Sequence, residues 1–339
     1  MLTVAMVVSP TRFLARTAPH GLPLVRQIVQ GGLGRLFGPP RHDEHAHAGD
    51  PGLFGLGSAS WRVLGEPAAI VGGVRALLVQ LLHPHAMAGV ADHSSFREDP
   101  LGRLRRTSAY VTTTAFGATP EALEVAEIVR RSHRAVRGVA PDGVPYDAAD
   151  PHLLRWVSIA LTSSFLAADR AYAPQPVDAA TADAFVAEQA RAAALLDPGV
   201  DLAALAADPQ AQAAMRAGTW PLPLLDEGFL PTDVASLEAC LACYEPELAV
   251  NAQGREGFRF LLWPPIPAPI KAAYLPMLAG ALATLTEPQR RLLGLAGASP
   301  LAWPVQAQTR ALLAALRLTT GTSPAQQAAA RRAEASPTR

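Results

Sequence analysis

Lysine is almost absent from this sequence: only one of its 29 basic residues, Lys271, is a lysine. A phosphate-binding loop of the GxxxxGK[ST] type needs a lysine after a glycine-rich turn, and Lys271 has no such context, so this class of nucleotide-binding protein is excluded. The basic residues are balanced by 29 acidic ones, and no basic tract of five or more residues occurs. This balance argues against nucleic acid as a partner.

Cysteine is also scarce, since Cys240 and Cys243 are its only two occurrences. A zinc site would need two further ligands at matching spacing, and a dithiol redox motif is typical of a βαβ context; the sequence offers neither. We therefore expect both cysteines to be small buried residues of a helix over residues 237–244. This cysteine usage fits a reducing cytoplasm, which is the compartment we expect.

Long apolar runs are missing as well. The apolar start of the chain precedes its first cation, Arg12, which is the reverse of the order in a secretory signal. The longest later run without charge, residues 272–286, is too short for a membrane span and contains Pro276. We expect no membrane-spanning helix. The tract 258–269 predicts a loop that covers the core or, alternatively, a site of peripheral membrane contact.

Helical patterns dominate what is present. Half of the 339 residues are hydrophobic, enough for a sizeable core. Apolar residues between Ile70 and Leu82 recur at helical spacing, which predicts a central helix that ends at His83-Pro84-His85. No convincing alternating strand and no repeat of 20–50 residues is found. The sequence therefore predicts an all-α protein with an N-terminal extension over 1–60, one helical domain over 61–320 and a disordered tail over 321–339.

The most distinctive polar residues lie on two predicted helices, which begin at Asp99-Pro100 and at Thr119-Pro120. In each, a side-chain cap is followed by proline at the first helical position. One polar face of the first helix carries Arg103, Arg106, Thr107 and Tyr110. On the second helix, His133 shares a face with apolar residues and has arginines at its edges. A histidine in this position is a candidate ligand of a buried cofactor.

Haem is the metal cofactor that these residue types suit best. The histidine-rich run at 42–47 is typical of a solvated loop, and His83, His85 and His93 are expected in turns rather than against a cofactor. A di-iron centre needs Glu-x-x-His pairs on two helices, and no glutamate stands at that spacing from His133. Haem needs one axial imidazole, apolar walls and cations for its propionates. His133 and the neighbouring arginines supply these types.

Several short segments between residues 65 and 147 extend this argument. They are, in order, Gly65-Glu66-Pro67, Gln80-Leu81-Leu82-His83-Pro84, Gly89-Val90-Ala91-Asp92-His93-Ser94-Ser95-Phe96, Asp99-Pro100-Leu101-Gly102-Arg103-Leu104-Arg105-Arg106-Thr107, His133-Arg134-Ala135-Val136-Arg137-Gly138 and Asp142-Gly143-Val144-Pro145-Tyr146-Asp147. Together they resemble the haem-dependent oxygenase family that includes latex clearing protein, a rubber oxygenase, and the fungal MpaB oxygenases. The resemblance implies a globin-related all-α core around one buried haem b, and O2-dependent oxidation or C=C cleavage of an isoprenoid or lipid-like substrate.

The resemblance also implies roles for individual residues. His133 matches the proximal histidine that ligates the iron, and Arg103 and Arg137 are the expected haem-binding cations. The family's distal Arg-x-x-Lys-Thr group matches Arg103, Arg106 and Thr107, with Arg106 in place of the lysine of rubber oxygenase. Because arginine stays charged and does not ligate iron, the sixth iron position is expected to be open or held by water. The acidic residue that rubber oxygenase has upstream finds no clear match near residues 86–89.

Three functions follow as hypotheses. The first is a haem b oxygenase that acts on a small hydrophobic substrate, the second is a haem protein that carries or senses a ligand without turnover, and the third is a lipid-binding helical protein without haem. A purely structural role is the alternative for Arg103 and Arg106, which could pair with Glu124 or Asp99 instead of contacting a cofactor.

Overall fold

The computed structural model describes residues 46–297 and 302–335, and this part consists of sixteen α-helices and one β-hairpin. The prediction of an all-α fold is confirmed. The helices are α1 (Ala59–Leu64), α2 (Ala68–Gln80), α3 (Pro84–His93), α4 (Pro100–Phe116), α5 (Thr119–His133), α6 (Pro151–Tyr172), α7 (Ala179–Ala194), α8 (Leu202–Ala207), α9 (Pro209–Arg216), α10 (Pro223–Asp226), α11 (Val234–Tyr244), α12 (Ala252–Leu262), α13 (Ala268–Ala283), α14 (Glu287–Leu292), α15 (Ala302–Thr320) and α16 (Pro324–Glu334). The strands are β1 (Arg137–Val139) and β2 (Pro145–Asp147), and a 3₁₀ turn, Glu245–Glu247, follows α11.

Aspartate side chains begin most of the helices that the sequence predicts. Asp99 accepts a hydrogen bond from the backbone N–H of Gly102 at 2.8 Å, and Asp150 accepts one from His152 at 2.8 Å. Such caps satisfy N–H groups that have no partner inside the helix. The start of α5 differs from the prediction, because the side chain of Thr119 does not cap this helix. The Thr119 N–H donates instead to Asp50, which lies in the segment before α1, at 2.8 Å.

The core is built around α2 and α6, which pack along their length. Gly72 of α2 permits the close approach, because a Cβ at this position would lie 2.7 Å from the ring of Phe165 and 3.0 Å from its Cα. Further along α2, the buried Arg75 donates to Ser164 of α6 at 2.9 Å and to Gln289 of α14 at 3.1 Å. The predicted central helix is therefore the middle of the fold, although it also buries a charged residue.

A short hairpin follows α5 and was not predicted. β1 and β2 pair antiparallel, and Gly143 makes the turn between them with a φ of +85°, which glycine adopts without strain. α3 packs on this hairpin, and Tyr146 of β2 donates to Asp92 of α3 at 2.7 Å. The strands on either side of the turn at residues 141–143 are too short for an alternating pattern to show in the sequence.

The end of the chain differs from the expected disordered tail. Residues 324–334 form α16, and its Arg332 is fully buried. The guanidinium donates to the carbonyl oxygens of Asp50, Phe116 and Gly117 at 2.9–3.1 Å. These bonds tie both ends of the described chain to the corner between α4 and α5.

Two smaller expectations also need correction. Cys240 is half-buried and Cys243 is exposed, so the two cysteines are not both core residues. Residues 258–262 belong to α12 rather than to a loop, and only Trp263 and the residues after it leave the helix. Within the part of the chain that the structure covers, no helix has the length and apolar character needed to cross a membrane.

Candidate functional site

His133 is the last residue of α5, at the point where the chain turns toward β1. The preceding turns bury Leu123 and Ala126 in a cluster shared with α7, α8 and α9, and His133 itself is half-buried. Burial lowers the pKa of His133, against a smaller opposite effect of the Asp147 carboxylate. The imidazole is therefore neutral near pH 7, which is the form that ligates a metal. Its ring makes no hydrogen bond to any residue within 46–297 or 302–335.

Arg103 lies in the first turn of α4 and is half-buried. Its guanidinium stands 6.0 Å from the centre of the Phe96 ring. Burial, with a contribution from Arg106, lowers the pKa of Arg103 to about 10, so it keeps its charge at neutral pH. Among the residues that the structure describes, no carboxylate or hydrogen-bond acceptor pairs with it. Thr107 lies one turn further on and donates its hydroxyl hydrogen to the Arg103 carbonyl at 3.2 Å.

Arg106 and Arg137 lie closer to solvent. The Arg106 side chain is 55% exposed, and it contacts the Asp99 carboxylate at 3.7 Å and donates to the Ser95 hydroxyl at 3.2 Å. Arg137 is 62% exposed on β1 and forms an ion pair with Asp147 at 3.8 Å. The structural alternative for the arginines thus holds for Arg106, which pairs with Asp99. It does not describe Arg103.

The residues around this region fit haem in their donor chemistry. α4 and α5 pack against each other, and their other main neighbours are α1, α8 and α16. The central helices α2 and α6 are not among these main neighbours. Apolar side chains of α2, α4 and α6 remain only partly buried where they border the core, namely Val74, Val111, Val157 and Leu161. A neutral imidazole, a half-buried cation without a described partner and half-buried apolar side chains are residue types that suit a haem pocket.

An open groove of about 810 Å³ runs along the outside of α5, but it is not part of this region. Its lining includes Glu124, Glu127 and Arg131 of α5 together with residues 198–203. On the helix these side chains face away from Ala126 and Val129, the apolar side that leads to His133. The groove therefore opens on a charged outer surface.

Sequence reasoning missed a second polar cluster, at the start of α6. The structure brings His83, His152 and Glu247 together there, with possible ligand atoms of all three within 4.8 Å of one another. His83 was expected to be a turn residue, and it does cap α3, but it is also fully buried. His152 and Glu247 are 95 residues apart in the chain, so no local spacing could have indicated their contact. The histidine run at 42–47 cannot be compared with this cluster as a whole, because His42 and His45 lie outside the described residues. His47 is exposed.

Comparison with known proteins supplies independent information. A family model described as "ER-bound oxygenase mpaB/B'/Rubber oxygenase, catalytic domain" matches residues 61–322, which is more than half of the chain. Two mycobacterial proteins, Mb2261 of Mycobacterium bovis and Rv2237 of Mycobacterium tuberculosis, are each 30% identical over 112 residues. That region is 32% of this chain and 44% of either relative, so the chain spans less than half the length of the curated relatives it matches. No solved structure matches significantly.

Proposed function

This chain belongs to the family of mpaB and rubber oxygenase catalytic domains, and from that premise we propose that it is a haem b-dependent oxygenase that oxidises a small hydrophobic substrate with O2. The observation that carries the haem assignment is His133, a half-buried histidine whose burial keeps it neutral and whose ring has no hydrogen-bond partner in the described chain. Membership of the family supports oxygenase chemistry, and the neutral imidazole supports the choice of cofactor.

In this proposal His133 holds the iron through its imidazole, and bound haem supplies the iron at which O2 is activated. The negative charge of Asp147 favours the tautomer of His133 whose N–H is directed toward this carboxylate. Carboxylates commonly act in this way on histidines that bind metals. Arg137 pairs with the same Asp147 and reaches only the exposed edge of a cofactor, where a propionate would meet it. His133 and Arg137 thus serve as the cofactor-binding residues.

Arg103 and Thr107 are the residues that we assign to the oxygen side. A half-buried guanidinium can donate charge-assisted hydrogen bonds to negative charge that develops in the pocket, and low local dielectric strengthens them. Arg106 matches the family motif in sequence but lies at the surface beside Asp99, so we assign it a supporting role at the start of α4. We therefore assign Arg103 to the oxygen side, with Thr107 beside it, since the Thr107 hydroxyl donates to the Arg103 carbonyl.

The substrate class follows from the apolar surroundings. Val74, Val111, Val157 and Leu161 offer only methyl groups and methylenes, which recognise an isoprenoid or lipid-like chain and not a charged metabolite. We propose an alkene of this class as the substrate. We also propose the cytoplasm as the compartment, because Cys240 and Cys243 are free thiols.

Oxygen consumption tests the proposal. Haem-loaded protein is mixed with a reductant and a panel of isoprenoid and unsaturated lipid alkenes, and O2 uptake is followed with an electrode while products are analysed by mass spectrometry. We expect substrate-dependent uptake with a product that contains oxygen from labelled O2. Full haem loading without uptake on any alkene would favour a protein that carries or senses a ligand, and a chain that binds these lipids without taking up haem would favour a lipid-binding protein.

A further inference from the structure

A second set of metal-ligand side chains lies where α3, α6 and the 3₁₀ turn after α11 meet. His83 stands at the start of α3, His152 in the first turn of α6 and Glu247 in the 3₁₀ turn. Nε2 of His83 lies 3.4 Å, and Nε2 of His152 lies 2.8 Å, from the same carboxylate oxygen, Oε2 of Glu247. The cluster is open on one side, because His83 is fully buried while the other two side chains are each 40% exposed.

His83 is buried, and its Nε2 lies 3.4 Å from Oε2 of Glu247 without forming a well-aligned hydrogen bond. Its ring packs against Trp156 and Tyr244, with ring centres 5.5 and 6.0 Å apart. Its Nε2 points into the cluster but makes no hydrogen bond to another described residue. Burial lowers the pKa of His83 to about 4, which favours the neutral ring, and the proton of that ring lies on Nε2 because Nδ1 accepts the Ala86 N–H. Leaving a buried ring nitrogen unpaired is costly, which indicates that something normally occupies this position.

The hydrogen bonds around His152 fix the state of its other nitrogen. The Tyr244 hydroxyl donates to the His152 carbonyl at 2.7 Å, and its oxygen accepts from Arg155 at 3.0 Å. The remaining contact of this oxygen, with Nδ1 of His152 at 3.3 Å, therefore requires a proton on Nδ1. A neutral His152 then presents a lone pair from Nε2 to the Glu247 carboxylate at 2.8 Å. Two electron-rich atoms at this distance need a cation or a proton between them.

We propose that His83, His152 and Glu247 bind one divalent transition-metal ion, separate from the haem held by His133. Two imidazoles and one carboxylate are ligands that Zn²⁺ and its neighbours in the first transition series accept, and the open side leaves room for water. Around a tetrahedral ion with bonds of about 2.0–2.1 Å, ligand atoms lie about 3.3 Å apart, within the 2.8–4.8 Å range of this cluster. Tyr244, fixed by Arg155, then orients His152 through Nδ1 as a second layer of support.

Metal binding has one local cost. Nδ1 of His83 accepts the backbone N–H of Ala86 at 3.4 Å, the long limit for a hydrogen bond. Ligation through Nε2 moves the proton of a neutral His83 to Nδ1, so this contact must open. The loss is small compared with the gain for the orphaned Nε2, and Ala86 lies in the first turn of α3, where an N–H can turn to water.

Zinc binding to the haem-loaded full chain tests this site. Equilibrium dialysis against Zn²⁺, followed by elemental analysis that separates zinc from haem iron, should give one Zn²⁺ per chain. His152→Ala and Glu247→Gln, both at partly exposed positions, should weaken binding at least about tenfold. His85→Ala is the matched control, since its ring lies 5.6 Å from that of His83 but is held by Asp142. It should leave zinc binding unchanged.

The histidine run near the N-terminus provides the opposite control. A variant with His42, His45 and His47 all changed to alanine should keep its zinc. Loss of zinc in this variant together with retention of zinc in His152→Ala would overturn the proposal. Absence of saturable zinc binding by the wild type would also overturn it, and would mean that a proton lies between His152 and Glu247. Because zinc is measured apart from iron, this result stands independently of whether His133 holds haem.

Discussion

At the scale of single residues, the strongest functional signal is a charge without a counterion. Arg103 carries its guanidinium into a half-buried position, and no described carboxylate compensates it. Burying an uncompensated charge costs several kcal/mol, so such a residue persists where an anion or developing negative charge will meet it. Arg106, three residues away, has Asp99 and a water-exposed side chain. The same helix therefore offers a candidate functional arginine and a control for it.

The first prediction compares these two arginines. Arg103→Gln should retain haem but lower kcat about ten- to a hundredfold, because a charge-assisted hydrogen bond contributes about 1.5–3 kcal/mol. Arg106→Gln should change kcat less than about twofold, since an exposed ion pair contributes little. Turnover is measured by O2 uptake at equal haem content. Equal losses in both variants would mean that Arg103 has no special part in the reaction.

Residue-level sequence reasoning was limited by distance along the chain. The pairing of Arg106 with Asp99 is local and was available as an alternative. The cluster of His83 with His152 and Glu247 joins segments that only the fold brings together, and a histidine before a proline gave no hint that it would be buried.

At the scale of elements, α2 and α6 approach each other closely at Gly72. Two adjacent glycines of α2 differ sharply in their surroundings. A Cβ on Gly72 would collide with Phe165, whereas one on Gly73 would meet no described atom within 4 Å. Gly72 and Gly73 are neighbours in α2, so an alanine substitution changes the helix propensity equally at both. Comparing the two substitutions therefore separates the effect of packing from that of helix propensity.

The second prediction uses this pair. Gly72→Ala should lower the free energy of unfolding by about 1–3 kcal/mol, because the added methyl group forces the two helices apart. Gly73→Ala should raise it by about 0.5–1 kcal/mol, since alanine restricts the unfolded chain and favours a helix. Urea denaturation of both variants measures the difference. A Gly73→Ala variant as unstable as Gly72→Ala would show that α2 is covered on that face too.

The third prediction concerns α16. Arg332→Met should lower the free energy of unfolding by about 3 kcal/mol, because it leaves the carbonyls of Asp50, Phe116 and Gly117 without their donor. Glu334→Gln, at an exposed position of the same helix, should change it by no more than about 0.5 kcal/mol. Similar urea midpoints for the two variants would contradict a clamping role for Arg332.

Elements that start with a local signal were predictable, and those held by distant contacts were not. The aspartate cap at Asp99 predicted α4, because the cap and the N–H from which it accepts lie three residues apart. α16 has little apolar content and is held by hydrogen bonds from Arg332 and Gln326 to carbonyls over 200 residues away in the chain. Composition therefore indicated disorder where tertiary hydrogen bonds produce a helix.

At the scale of the whole molecule, the described segments outside residues 61–320 support the helices that carry the candidate site. Asp50 caps α5, and Arg332 of α16 holds the carbonyls at the end of α4. The family match covers residues 61–322, so these supports lie outside the matched region. The α4–α5 pair is thus held at its corner, and Arg103 and His133 lie at the opposite end of the pair.

The motifs predicted the all-α fold and the family, because several short motifs occur in the family's order along the chain. They did not predict which of the two motif arginines is the more buried. That difference depends on where α4 begins relative to Asp99, Ser95 and Phe96, which is a property of packing and not of spacing.

The most direct test of the account is the haem content of the purified chain and its His133 variants. The wild type should bind one haem with a Soret band, His133→Gly should lose it and regain it with added imidazole, and His93→Ala, which removes an exposed histidine nearby, should keep it. An unchanged Soret band in His133→Gly without imidazole, or no band in the wild type after hemin is added, would contradict the assignment of His133 as the iron ligand.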